Sequence, residues 1–105
     1  MVKRHNVDFD AGVRRLRDAL VHQTGALGRD GRMAALEGRS DDPRLAAFLA
    51  KVTERAHAVT DHDVVALQDA GYSEDQIFEA TVCAAVGAGL ARLDRGLRAL
   101  EGAEP

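Results

Sequence analysis

Residues 80–91 read ATVCAAVGAGLA, and the architecture of the whole chain turns on them. No position in this stretch is charged, and Ala84, Ala85, Gly87, Ala88, Gly89 and Ala91 are all small. Just upstream, Ser73 and Gln76 have the spacing of a capping box, and Tyr72 is placed to staple onto Ile77. A long helix is therefore predicted from this cap to Leu100, with Phe78, Val82, Val86, Leu90, Leu93, Leu97 and Leu100 as its apolar stripe. A helix that is apolar all round has to be buried all round. Each interior glycine costs up to about 1 kcal/mol relative to alanine, and close approach of a neighbouring backbone is the natural offset. A small domain has too little protein to enclose such a helix, so walls from sister copies are expected, and with them a homo-oligomer.

Working back along the chain, three more helices are predicted. Thr60 caps a short one, with Asp61 and Asp63 in its first turn, Val64 and Leu67 facing inward and Gly71 as its stop. Before it, Asp42 caps a helix with Pro43 at the first position and Leu45, Phe48, Leu49, Val52 and Ala56 as the buried stripe, ending near Val59. The earliest carries Phe9, Val13, Leu16 and Leu20, extended past a turn by Leu27, with Asp10 as cap and Gly25 as terminator. Residues 28–42 read as a connecting segment, the most mobile part, with a short helical turn over Met33, Ala34, Ala35 and Leu36. Residues 1–9 are expected to be flexible. The expectation is an all-α fold: one domain over residues 1–105, a small bundle of four to five helices.

Composition narrows the function classes. The chain has 105 residues, 46% of them hydrophobic and 30% charged, a globular balance. Only two prolines and 4% aromatics favour helix over sheet. A formal charge of −3 argues against a nucleic-acid partner. One cysteine excludes a disulfide within the chain and a CxxC pair. The basic start, Met1 to His5, is followed by polar and acidic residues where a secretory signal needs an apolar run. The longest uncharged run falls short of the roughly 20 residues that span a bilayer. A soluble, cytoplasmic protein with no membrane partner is expected.

The run VTDHDVVALQDAGYSEDQIFEATVCAAVGAGLARL, Val59 to Leu93, resembles the carboxymuconolactone decarboxylase and alkylhydroperoxidase D-like superfamily. The shared features are a short helix ending in Ala70-Gly71, a serine-acid-acid cap, an Ile-Phe pair and a small-residue helix. The preceding DPRLAAFLAKVTERA, Asp42 to Ala56, is similar to the helix upstream in the peroxidase-related branch. The resemblance covers about half of the chain and implies an all-helical fold that assembles into oligomers. It also implies one of two chemistries, a thiol relay built on CxxC, a histidine and a glutamate, or acid-base action on a lactone acid. With the glycine of the turn aligned on Gly71, the two cysteine positions fall near Ala56 and Val59, and the histidine position at Asp63, beside His62. The branch alignment places the catalytic helix at residues 10–24 instead, with His22 as the histidine and again no cysteine. A dithiol relay cannot run in this chain alone.

The remaining candidates each have a plain reading beside a chemical one. Cys83 is the sole thiol, either a core residue or a one-cysteine peroxidase nucleophile. His57 or His62 is either an exposed or capping residue or a general base oriented by Asp61 or Asp63. Glu79 borders the uncharged stretch and is either solvated or turned to a cleft. Arg92, Arg95 and Arg98 recur every three residues, either as partners of Asp94 and the helix dipole or as a grip for a carboxylate ligand. No metal constellation, P-loop or cofactor fingerprint is present, so no cofactor is expected. The leading expectation is an oligomeric accessory or assembly protein that binds a small molecule. The alternative is an enzyme, a lyase using His57 or His62 or a peroxidase using Cys83.

Overall fold

A computed structural model describes residues 11–20 and 25–102. The expected flexible arm over residues 1–9, Phe9, the Asp10 cap and His22 lie outside the described residues. All regular structure among the described residues is helical. Helix α1 covers residues 11–20, and it is followed by α2 (Arg29–Leu36), α3 (Pro43–Glu54), α4 (Asp61–Asp69) and α5 (Glu74–Gly102). A single 3₁₀ turn, Ala56–Ala58, joins α3 to α4.

The helix ends follow from local chemistry. The Asp42 carboxylate accepts the Arg44 N–H at 2.9 Å, and Pro43 takes the first helical position of α3. Thr60 and Asp63 form a reciprocal capping box on α4, and Lys51 from α3 donates to the same Asp63 carboxylate at 3.0 Å. On α5 the Gln76 side chain accepts the Ser73 N–H at 2.9 Å while the Ser73 hydroxyl accepts the Gln76 N–H at 3.1 Å. The α2 and α4 helices both end on a glycine in the left-handed region, Gly38 (φ 74°) and Gly71 (φ 109°).

Two expectations need correction. Residues 28–42 are not merely a connection. They contain α2, which brings Ala35 and Leu36, 1% and 4% exposed, into the core and forms the most extensive contact with α5 among α2–α5. Mixed charge and the glycines at 28, 31 and 38 conceal a helix whose inner face is only Arg32, Ala35 and Leu36.

The second correction concerns which face of α5 is buried. Ile77, Ala80, Cys83, Ala84 and Gly87 pack against α2 and α3, not the stripe of larger residues. Phe78 is 69% exposed, Leu93 41% and Leu100 54%. Small residues face inward because α2 crosses very close: a Cβ on Gly87 overlaps the Leu36 carbonyl oxygen and lies 2.8 Å from the carbonyl carbon. Among the described residues, the buried positions of α5 therefore lie on one side of the helix. The other members of the core are Leu45, Phe48 and Leu49 of α3 and Leu67 of α4. The fold measures 54 × 29 × 19 Å, and α5, about 44 Å long at 1.5 Å per residue, sets its longest dimension.

Candidate functional site

An open groove of about 530 Å³ lies where α5 passes the ends of α2 and α3. It exists because α5 supplies only Ala84, Gly87, Ala88 and Ala91 to its floor, and none of them extends beyond a Cβ. Ala50 and Thr53 of α3 form one wall, and Leu36 and Gly38 at the end of α2 form another. Charge gathers at the rim: Arg17 from α1, Arg92 and Arg95 from α5, with Glu37 and Glu54. Arg92 is held in place by donating to the Thr53 carbonyl at 2.6 Å, in the last turn of α3. Glu37 is ion-paired with Arg39, which holds its carboxyl below the usual carboxylate range, with a smaller pull from Arg17.

Glu79 lies elsewhere and has a structural task. Its carboxylate accepts the Ala26 N–H at 2.7 Å and the Leu27 N–H at 3.1 Å, and the Arg32 guanidinium stands 3.5 Å away. Those two backbone donors, with Arg32, hold its carboxyl below the usual range. The strand of chain entering α2 thus wraps around a carboxylate supplied by α5. Cys83, one turn further along α5, is 2% exposed. Burial pushes its thiol up, Arg32 opposes that, and Glu79 adds to it. A raised, buried thiol has little thiolate to offer as a nucleophile.

His57 and His62 stand apart from both places. His57, on the 3₁₀ turn, and His62, in the first turn of α4, are exposed. Asp63, the carboxylate suited to orient His62, is committed to Thr60 and Lys51. Lys51 and two hydrogen bonds from Thr60 hold the Asp63 carboxyl below its usual range, the backbone N–H contributing most. The structure therefore does not bring His57, His62, Glu79 and Cys83 to one point. Among the described residues no cluster of histidine, cysteine and carboxylate has the makings of a metal site.

Three residues that matter here were not singled out from sequence. Arg32 shares a helical face with Ala35 and Leu36, and that spacing of three and four was its available signal. Arg17 reads as one of several solvated arginines, and Thr53 contributes only a backbone carbonyl, which no side-chain pattern announces. No protein-family model, curated protein or solved structure matches the chain.

Proposed function

We propose that the protein is a non-redox helical assembly module, similar in plan to carboxymuconolactone decarboxylase-like domains, that associates with copies of itself through the outer face of α5. The observation that carries this reading is the pairing of exposed large residues with unfilled glycines. Phe78, Val82, Ala85, Gly89, Leu93, Gly96 and Leu100 recur at spacings of three and four and form a seam opposite the buried face. A Cβ at Gly89 or Gly96 would meet nothing within 4 Å, so among the described residues no close approach offsets these two glycines. Two seams run antiparallel, centred level with residue 87, set Phe78 of each copy over Gly96 of the other and Ala85 over Gly89. Phe78 then packs onto a glycine, the Ala85 and Gly89 level lets the two backbones approach, and Val82 and Leu93 meet between them.

By length and composition alone α5 also qualifies as a bilayer span, with 28% of its apolar window buried within the chain. The assembly reading puts protein, not lipid, on the seam, in keeping with a soluble, cytoplasmic placement. The protein is then expected in the supernatant after high-speed centrifugation without detergent. Recovery only from the membrane pellet contradicts it. Light scattering on Phe78→Glu and Leu93→Glu tests the seam itself, because each places a charge in the contact while leaving the core untouched.

A further inference from the structure

The groove beside the seam is a second, separate feature, formed within one chain, and it goes beyond the assembly reading. We propose that it binds a small organic carboxylate with a compact apolar body, the body lying on Ala84, Gly87, Ala88 and Ala91 and the carboxylate held at the rim by Arg92 and Arg95, with Arg17 opposite.

Size and shape come first. A volume of about 530 Å³ lies within the range that holds small molecules. The floor is bare of side chains, so a flat or compact hydrocarbon surface reaches the helix directly. Arg92 is already fixed through its bond to the Thr53 carbonyl, and a positioned guanidinium loses less freedom on gripping a carboxylate than a free one. Its remaining N–H groups stay available, and Arg95 lies on the same side of α5 less than one turn further on.

The charge inventory decides between an anion and a cation. Three guanidinium groups face two carboxylates, Glu37 and Glu54. Glu37 is already neutralised by Arg39, which lies outside the groove lining. The carbonyl ends of α2 and α3 add partial negative charge nearby. Arg92 covers that of α3, and Arg17 and Arg95 then face one remaining carboxylate, Glu54, which leaves one positive charge in excess. Guanidinium forks match the planar, two-oxygen geometry of a carboxylate.

The test is a two-dimensional NMR titration of the full chain with three probes: benzoate, inorganic phosphate and benzylamine. Benzoate is expected to shift resonances saturably along residues 84–95 and at residues 50–54. Phosphate, which lacks an apolar body, is expected to bind about tenfold more weakly or worse, and benzylamine not at all. Arg95→Gln and Ala91→Leu both alter exposed positions, one removing a fork and the other filling the floor. Each is expected to weaken benzoate about tenfold or more while the melting temperature and the mass by light scattering stay unchanged. Benzylamine binding as well as benzoate, phosphate matching benzoate, or benzoate affinity unmoved by both variants each overturns the proposal. Mass read on the same samples keeps the two proposals apart: lost assembly with benzoate binding intact strikes only the seam, and the reverse strikes only the groove.

Discussion

The backbone of Leu36, at the end of α2, occupies the space that any side chain at Gly87 would need. This one approach explains why α5 presents alanine and glycine to its own core and leaves its bulkier residues outside. It also sets up a contrast with Gly89, two positions on, where a Cβ meets nothing within 4 Å. Gly87→Ala is expected to destabilise the fold by about 1–3 kcal/mol, because overpacking against backbone outweighs the gain of up to about 1 kcal/mol in helix propensity. Gly89→Ala in a chain kept monomeric by Phe78→Glu should instead gain most of that propensity. Urea unfolding of the pair distinguishes them, and equal effects at the two positions contradict the close approach.

Glu79 fastens the segment before α2 to α5 and is an ion-pair partner of Arg32, which is 5% exposed. Glu79→Gln keeps the shape but removes the charge, and a loss of about 1–3 kcal/mol is expected by thermal or urea unfolding. The pH dependence has a definite sign. The folded carboxyl is held below its unfolded value, so its contribution is present above the ordinary glutamate range near 4.5 and lost as pH falls through the lower folded value. The acid limb of the stability curve should therefore flatten in Glu79→Gln. An unchanged acid limb contradicts the latch.

Tyr72 is the one tyrosine in a chain with no tryptophan, so its ionisation can be followed by absorbance alone. Its hydroxyl donates to the Asp42 carboxylate at 2.7 Å, tying the start of α5 to the cap of α3. That bond, then burial and the carboxylate charge, push the phenol above its ordinary value near 10. Asp42→Asn should lower the midpoint. A wild-type midpoint at the ordinary value, or no shift in the variant, removes this tie.

Cys83 should react with a thiol reagent such as DTNB far more slowly in the folded protein than in urea, by about a hundredfold or more, since both exposure and thiolate fraction are small. Equal rates contradict its placement, and rapid native labelling would reopen the one-cysteine peroxidase chemistry.

Much of the helical frame is readable from residue types alone, and the reasons are local. Asp42-Pro43, Thr60 with Asp63 and Ser73 with Gln76 are caps whose hydrogen bonds form within three residues, so sequence spacing announces them. The burial of α5 is less legible, because a run apolar on every side offers no polar face to orient it. The choice between Phe78 and Ile77 as the inward residue is made by how closely α2 can approach, a property of Leu36 and Gly87 together. α2 is obscured for the opposite reason: its buried face contains a charge, Arg32, whose ion-pair partner Glu79 follows it by 47 positions in the chain. The groove shares this limit. Arg92 is visible as a candidate grip, whereas its anchor on the Thr53 carbonyl and its neighbour Arg17 come together only through the fold.

The central claim is that the outer seam of α5 is covered by a second copy of the chain. Size-exclusion chromatography with multi-angle light scattering, over about 1–100 µM, a range that spans micromolar affinities, measures it most directly. The account expects a mass at a multiple of 11.2 kDa that falls to 11.2 kDa in Phe78→Glu with the helical circular dichroism unchanged. A wild-type mass of 11.2 kDa across that whole range, or an oligomer that Phe78→Glu and Leu93→Glu both leave intact, contradicts it.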